Sequence, residues 1–290
     1  MEFFKRLEKR LRWKRAAIKN IAGSVETMFD YLLHGQAKLL QSQSANPLAA
    51  FGAKSFSQAD EDGITLEILR RIGLTQPGAV GVYGEFGVGD GTENNTLILA
   101  ALGWRGFWVG GQDLVLRLPP PEKRHFSYQK AWITLDNVVA LAQGGLRALQ
   151  ATAPDVLTLD LDGNDIYFVD ALLKAGLRPS LFIVEYNAKF LPPVEFQIAY
   201  DAAHAWQRDD YFGASLASFN RLFQQHGYRL VCCNSQTGNN AFFVHARHAE
   251  HFADVPTDIR TLYVEPRFWF PRKHGHPASL KTLEKILAGD

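Results

Sequence analysis

The sequence predicts one α/β domain built on a mostly parallel, doubly wound sheet of seven strands that ends in an antiparallel hairpin. Short apolar runs of strand length alternate with segments of helical periodicity between residues 58 and 226. A glycine-rich turn follows the first apolar run, and the last two predicted strands follow each other without a helix between them. Alternation of this kind places parallel strands side by side, with helices on both faces of the sheet.

Periodicity and turn residues set the bounds of the predicted elements. Predicted strands lie at 79–86, 106–109, 132–135, 156–161, 180–186, 228–233 and 240–245. Predicted helices lie at 58–72, 92–102, 136–150, 166–175 and 214–226, and residues 187–212 form a long irregular insertion. Because such sheets bind ligands outside the carboxyl ends of their strands, functional residues are expected directly after the strands.

Length and composition indicate an ordinary globular protein. The chain has 290 residues, of which 47% are hydrophobic, so it can bury a core without disulfides. Cys232 and Cys233 are adjacent in a predicted strand, where their side chains point to opposite faces, so we expect both to be reduced. No run approaches the roughly 20 uncharged apolar residues that span a bilayer, and no secretory signal is recognised. These features favour a cytoplasmic protein.

The first 20 residues form a separate, basic segment. They contain eight basic and two acidic residues, a net charge of +6, while the whole chain carries +1. Apolar residues recur at helical spacing, which predicts a basic amphipathic helix, followed by a connector over 35–56. Such a helix docks on its own domain or on a second subunit of a homo-oligomer, or makes a peripheral contact with anionic lipid at the inner face of the membrane.

These patterns divide the chain into residues 1–50, the basic helix and connector, and residues 51–290, one large domain. No second basic stripe with interleaved aromatic residues follows the N-terminal segment, so no nucleic-acid partner is expected. Four aromatic residues near the C-terminus are expected to pack on the core: Tyr263, Phe268, Trp269 and Phe270.

The glycine-rich turn points to a bound ligand. The first predicted strand ends in Glu-Phe-Gly-Val-Gly-Asp-Gly, from Glu85 to Gly91. Glycine lets a backbone pass close beneath a ligand, and the carboxylate of Glu85 is suited to an ammonium group. A dinucleotide fingerprint requires a third glycine where this chain has Thr92. The spacing therefore favours S-adenosylmethionine over NAD, and a plain tight turn without a ligand is the remaining alternative.

Several stretches resemble the FkbM-like family of class I, Rossmann-like S-adenosylmethionine-dependent methyltransferases. They are the turn at 85–91, Ser-Phe-Ser-Gln-Ala-Asp-Glu-Asp at 55–62, Gly-Trp-Arg-Gly at 103–106, Asp-Leu-Asp-Gly-Asn-Asp at 160–165 and Glu-Tyr-Asn at 185–187. The resemblance spans about residues 55–245 and implies O-methylation of a sugar, glycan or glycolipid hydroxyl, as in polysaccharide biosynthesis. It implies cofactor contacts by Gln58, Glu61, Asp62, Glu85, Gly87, Gly89, Asp90, Gly91 and Asp136.

The end of the second predicted strand departs from the family pattern. Relatives usually have an acidic residue there that binds the ribose hydroxyls, whereas this chain has Gly110 and Gly111. Either Gln112 or Asp113 supplies that acceptor, or cofactor binding is weakened or lost. The second case would leave a catalytically inactive domain that serves as a binding or scaffold partner. An NAD(P)-linked oxidoreductase acting on a nucleotide sugar is the other alternative.

Oxygen-bearing side chains close two neighbouring strands. Asp160 and Asp162 follow the fourth predicted strand, and Glu185 and Asn187 follow the fifth, so the four should converge. Mg²⁺ and Mn²⁺ prefer such oxygen ligands, and metal-dependent O-methyltransferases resemble this arrangement. Without a metal, Asp160 or Asp162 would act as general base, and His204 in the insertion is a further candidate. A plain turn and helix N-cap also explains residues 162–165.

Overall fold

The structure is a computed structural model that describes residues 2–123, 125–267 and 278–289. The strands are β1 (Val82–Phe86), β2 (Arg105–Gly110), β3 (Phe126–Lys130), β4 (Val156–Leu159), β5 (Leu181–Glu185), β6 (Tyr228–Cys233) and β7 (Asn240–His245). The α-helices are α1 (Glu2–Gln43), α2 (Glu61–Arg71), α3 (Leu97–Ala101), α4 (Val138–Ala148), α5 (Asp165–Lys174), α6 (Leu216–Gln225), α7 (Ile259–Leu262) and α8 (Leu280–Ala288). Short 3₁₀ helices lie at Pro47–Phe51, Pro121–Lys123 and Ala246–Phe252.

The seven strands form one sheet in the order β3-β2-β1-β4-β5-β7-β6. The pairs from β3 to β5 are parallel, and β7 runs antiparallel to both of its neighbours. The chain builds the sheet outward from β1 to one edge and then from β4 to the other, so the strand order reverses between β1 and β4. This is the Rossmann-like fold of class I methyltransferases, and the predicted fold class is confirmed.

The sheet is covered on both faces, as the apolar strands require. Every residue of β1 and β4 is buried. Phe107 on β2 lies against Gly84 on β1 and Gly145 on α4, where a Cβ would come within 2.3 Å of its ring at either glycine. The two glycines therefore make room for one large aromatic side chain between sheet and helix.

One strand lies where the sequence pattern did not place it. The third strand was predicted at 132–135, but that segment is irregular, and β3 pairs with β2 through residues 126–130. The prediction followed the apolar run, whereas an edge strand that is half exposed can be polar, as Ser127 and Gln129 are. Trp132 is exposed, and the amide of Thr134 binds the Asn137 side chain at the start of α4.

The predicted basic helix is longer than expected. α1 continues to Gln43, so residues 35–43 are helical and the predicted connector is restricted to the part that follows. Leu33 and Ala37 are buried, and Asn46 donates a hydrogen bond to the carbonyl of Val231 on β6 at 2.8 Å. Leu48 belongs to the core, which means that contacts with the sheet begin before the predicted boundary at residue 50.

The C-terminal hairpin and the cysteines match their predictions. β6 and β7 have the predicted bounds, and Cys232 and Cys233 are buried and unpaired. Tyr263 packs against the core, while Phe268, Trp269 and Phe270 lie outside the described residues. Among the helices of the described ranges, none combines the length and the apolar character needed to cross a bilayer.

Candidate functional site

The glycine turn lies at the point where the strand order reverses. Gly87 has a φ of +92°, and a Cβ there would lie 1.6 Å from the carbonyl oxygen of Asp160. Its amide donates to the Val109 carbonyl at 2.9 Å, which ties the ends of β1, β2 and β4 together. Gly89 has a φ of +51°, and its Cβ would meet no other described atom within 4 Å. Gly87 is thus required by the protein's own backbone, and Gly89 faces open space.

Asp90 and Gly91, the last two residues of the turn, are less accessible to a ligand than predicted. Gly91 has a φ of +89°, and a Cβ there would touch Leu114, Leu116 and Trp108, so this glycine packs against the protein. The carboxylate of Asp90 accepts hydrogen bonds from the amide and hydroxyl of Thr92 at 3.1 and 2.6 Å. Asp90 still lines a cavity, whereas Gly91 lies behind the turn.

Glu85 is buried and holds the segment that follows the turn. Its carboxylate accepts hydrogen bonds from the amides of Asn95 and Thr96 at 3.0 and 3.1 Å, and from the Thr96 hydroxyl. Burial raises the pKa of Glu85 to about 7, against these hydrogen bonds, which lower it. Glu85 lines the same cavity as Gly87 and Gly89, but three of its acceptor positions are used within the protein.

Two cavities meet at the turn. The first, here called the acidic cavity, has a volume of about 310 Å³ and is lined by Gln58, Glu85, Gly87, Val88, Gly89, Asp90, Thr92, Glu93, Asn95, Asp160, Asp162 and Asn240. The second, here called the aromatic cavity, has about 300 Å³ and is lined by Gly87, Gly89, Gly111, Gln112, Ala131, Trp132, Ile133, Asp160, Leu161, Asp162, Gly163, Asn164, Phe168 and His204. Both cavities share the two glycines and the two aspartates, so a ligand could extend from one into the other.

Three of the four predicted metal ligands come together. Asp160, Asp162 and Glu185 each offer a carboxylate oxygen, and these oxygens lie within 4.8 Å of one another. Burial, reinforced by the neighbouring carboxylates, raises the pKa of Asp160 and Glu185 well above the usual range. Asp162 has a φ of +52°, a left-handed conformation that is uncommon outside glycine and clusters at functional sites. This set could hold a divalent cation or share a proton.

Asn187, the fourth predicted ligand, has a different role. Its side-chain amide donates to the carbonyls of Asp210 and Phe212 at 2.9 and 3.0 Å, and its oxygen accepts from the Lys189 amide at 3.3 Å. Both polar atoms of its side chain are therefore bound to the 187–212 insertion, and the prediction of a metal ligand at Asn187 is corrected. The residue anchors the insertion over the end of β5.

Glu61 and Asp62 use their carboxylates for hydrogen bonds within the protein. One oxygen of Asp62 accepts from the amides of Ser55, Phe56 and Ser57 at 2.6, 2.6 and 3.0 Å. Glu61 accepts from the Ala59 amide and from the side chains of two asparagines of the hairpin. Neither residue lines the two cavities, so their predicted contact with the cofactor is not borne out, whereas Gln58 of the same motif does line the acidic cavity.

The remaining predicted cofactor contacts, Gln112, Asp113 and Asp136, differ in whether they lie beside a cavity. Gln112 lines the aromatic cavity. Asp113 is exposed and forms an ion pair with Lys130 at 2.7 Å, and Asp136 is exposed at the start of α4, outside the lining of both cavities. Of these three residues, only Gln112 lies beside a described cavity. The side chains of Asp113 and Asp136 project into solvent, which does not support their predicted contacts with the cofactor.

His204 reaches the site from the insertion. It lines the aromatic cavity together with Asp160 and Asp162. A Cβ on Gly163 would lie 2.7 Å from its ring, so this glycine allows the close approach. The Nε2 atom of His204 is buried and has no hydrogen-bond partner among the described residues, which is costly unless a ligand or water completes the bond.

Several cavity residues were missed from the sequence, among them two aromatic residues and one asparagine. Trp132 and Phe168 line the aromatic cavity, and Asn240 lines the acidic cavity at the start of β7. Trp132 had been assigned to a strand, and Phe168 lies in a helix whose apolar residues mostly serve the core. For Asn240, the run of asparagines between β6 and β7 was a usable signal, because buried amides in a hairpin need partners.

No protein-family model and no curated protein sequence matches the chain. Among solved structures, it is similar to a precorrin-6y C5,15-methyltransferase from Geobacter metallireducens GS-15, with 13% identity, a TM-score of 0.34, and coverage of 67% of this chain and 90% of that chain. It is also similar to cofactor-bound Rv0187 from MTB, with 13% identity, a TM-score of 0.39, and coverage of 77% and 96%. Similarity at this level concerns the fold, and the function must be argued from the residues of the site.

Proposed function

We propose that the protein is an S-adenosylmethionine-dependent methyltransferase that methylates a hydroxyl group of a sugar, glycan or glycolipid. The carboxyl-rich lining of the acidic cavity supports this proposal most. Five acidic side chains line it, from Glu85, Asp90, Glu93, Asp160 and Asp162, and none of its described lining residues is a lysine or arginine. S-adenosylmethionine carries a sulfonium and an ammonium group, which such a cavity attracts.

The same geometry argues against a dinucleotide. A bound pyrophosphate requires free amide groups at a helix N-terminus and tolerates few nearby carboxylates. Here the amides of Asn95 and Thr96, just before α3, are already bound by the Glu85 carboxylate. Lys54 lies 3.9 Å from Glu93, which lines the cavity, and donates to the Gln58 carbonyl, so it offers little to a phosphate. The oxidoreductase alternative is therefore disfavoured.

The residues present suit the two ends of S-adenosylmethionine. Gly89, with open space at its Cβ position, would lie under the ligand between the two cavities. The adenine ring would lie in the aromatic cavity beside Trp132, Ile133 and Phe168, and Gln112 would face the ribose. The methionine end would enter the acidic cavity, close to Gln58. When bound, the cofactor supplies the electrophilic methyl group.

The chain's own groups would position and deprotonate the acceptor. Asp160 and Asp162 line both cavities, and Glu185 lies within 4.8 Å of them. Together the three would hold Mg²⁺ or Mn²⁺, which polarises an acceptor hydroxyl when bound. The unpartnered Nε2 of His204 is the other candidate to accept the hydroxyl proton. Orientation of the hydroxyl oxygen toward the methyl group accounts for much of the rate in such reactions. Neighbouring hydroxyls of a sugar would suit a cation held by three carboxylates.

Transfer of a radioactive methyl group from S-adenosylmethionine to a panel of sugars and glycolipids tests the proposal. We expect a product with acceptors that carry two adjacent hydroxyls, loss of activity in EDTA, and recovery with Mg²⁺ or Mn²⁺. Glu185→Gln should lose the response to metal, while Glu195→Gln, a change at an exposed residue paired with Arg221 at 2.9 Å, should not. Transfer that is indifferent to EDTA would refute the metal, and transfer to nitrogen or carbon acceptors alone would refute O-methylation.

A further inference from the structure

The long N-terminal helix carries an apolar stripe that the described part of the molecule leaves uncovered. Ile18, Ile21, Val25, Met28 and Leu32 are each between 60% and 66% exposed. Leu11 and Leu39 extend the stripe toward the two ends of α1 and are exposed as well. Large exposed apolar patches mark interaction surfaces in otherwise globular proteins.

The spacing of the stripe is that of a coiled coil. From Leu11 to Leu39, the residues at alternating steps of three and four are Leu11, Lys14, Ile18, Ile21, Val25, Met28, Leu32, Gly35 and Leu39. Seven of these nine positions are apolar, so a and d positions of a heptad repeat are maintained over 29 residues. On a straight α-helix a strict seven-residue repeat drifts by about 20° per heptad, and it stays aligned only against a second helix around which it supercoils.

The contact between α1 and its own domain uses another side of the helix. Leu33 and Ala37, at positions b and f of the repeat, are the buried apolar residues of this helix region, and Leu40 packs beside them. Gln41, at position c, is also buried and donates a hydrogen bond to the Gly52 carbonyl at 2.7 Å. Basic side chains of the N-terminal part also lie at b, c or f, among them Arg6, Lys9, Arg12 and Lys19. The stripe is therefore free of the domain within the described residues, and these basic side chains lie outside the seam that a partner helix would cover.

Charge favours a second copy of the chain in the antiparallel orientation. Residues 1–20 carry a net charge of +6, while residues 21–43, with two acidic residues and one lysine, carry −1. Parallel pairing would place the two basic halves side by side and Lys14 against its copy, whereas antiparallel pairing places each basic half beside the weakly acidic half of the partner. In the register that sets residue 2 opposite residue 44, Ile21 faces Val25 of the partner, Ile18 faces Met28, and Lys14 faces Leu32.

From this periodicity and charge distribution we propose that α1 forms an antiparallel two-stranded coiled coil with α1 of a second copy of the chain. Nearly the full length of the helix is used in this register, because residues 3 to 43 of the two helices overlap. The two domains then lie at opposite ends of a rod of about 63 Å, at 1.5 Å per residue for 42 residues.

Sedimentation equilibrium of the full chain tests the association. We expect twice the monomer mass of 32.5 kDa for the unmodified protein. Ile18→Asp with Val25→Asp should give a monomer, because both charges fall in the seam. Trp13→Asp with Thr27→Asp adds the same charges at exposed c positions and should remain a dimer. Circular dichroism of all three proteins establishes that the domain is folded.

A spin label at Arg12→Cys tests the orientation, since the native cysteines are buried and out of reach of the label. The antiparallel register predicts about 33 Å between the two labels along the helix axis, and parallel pairing predicts less than about 20 Å. A monomer at micromolar concentration, a dimer unaffected by the seam variant, or the short distance would overturn the proposal. So would a monomer whose binding to phosphatidylserine vesicles requires the seam, because a lipid surface would then be the occupant.

Discussion

The cluster of Asp160, Asp162 and Glu185 should make the metal-free protein less stable as the pH rises. Burial raises the pKa of Asp160 and Glu185 in the folded state, so between about pH 4 and the raised pKa values the folded chain binds more protons than the unfolded chain. The contribution of these groups to stability is complete below the unfolded pKa of about 4 and is lost as the pH rises through the folded pKa values. Glu185→Gln should remove much of this dependence.

The expected size follows from the distance between the carboxylates. Two unit charges 4.8 Å apart, the outer limit for the cluster, repel each other by about 3 kcal/mol at an effective dielectric constant of about 20. Replacing Glu185 by Gln removes one ionisable carboxyl group and supplies an amide that can donate to a neighbouring carboxylate. We therefore expect the variant to exceed the unmodified protein in stability by up to about 3 kcal/mol at pH 8.

Urea unfolding at pH 5.5 and pH 8 in EDTA measures both effects, and a second series with Mn²⁺ adds the response to metal. The unmodified protein should lose stability between the two pH values and regain it with Mn²⁺, because a bound cation stabilises the folded state. Glu185→Gln should show a smaller loss and a weaker regain, and Glu195→Gln should behave like the unmodified protein. A Glu185→Gln protein that is less stable at pH 8, with an unchanged pH dependence, would refute the reasoning.

Three further predictions address single residues. Gly89→Val should weaken S-adenosylmethionine binding more than tenfold in calorimetry. The control is Gly176→Val, which adds the same side chain at a positive φ of 89° in the turn between α5 and β5, and it should leave the affinity unchanged. If the two variants bind S-adenosylmethionine equally well, the ligand lies elsewhere. His204→Gln should reduce the rate of methyl transfer by roughly 10²–10⁴ with little change in cofactor affinity, and an unaltered rate would exclude it as the base. Asp62→Asn should lower the free energy of unfolding by about 1–3 kcal/mol in urea titrations, since its carboxylate accepts three backbone amides, and a change in cofactor affinity without loss of stability would contradict its structural role.

The fold could be predicted because its strands are apolar and bounded by turns. The bounds of β6 and β7 coincide with those predicted, and β1, β4 and β5 were found with one to three extra residues at their ends. The sequence could not locate β3, because an edge strand with polar residues lacks the pattern of a buried one. The sequence also underestimated the length of α1, because the polar residues between 35 and 43 are typical of a connector.

The site was predictable to the extent that strand ends determine it. Asp160, Asp162 and Glu185 follow adjacent strands, and parallel pairing alone brings them together. The sequence could not show that Asn187 turns its amide to the insertion, or that Asp62 accepts the amides of residues 55–57. Such bonds depend on where irregular segments fold back, and periodicity carries no information about that.

Calorimetric titration of the full chain with S-adenosylmethionine, with its demethylated product and with NAD tests the central claim most directly. We predict that S-adenosylmethionine and the demethylated product each bind with one site per chain, and that NAD shows no binding, because carboxylates line the acidic cavity and Glu85 occupies the amides before α3. Binding of NAD alone would contradict the claim in favour of an oxidoreductase. Binding of none of the three would contradict it in favour of an inactive binding domain.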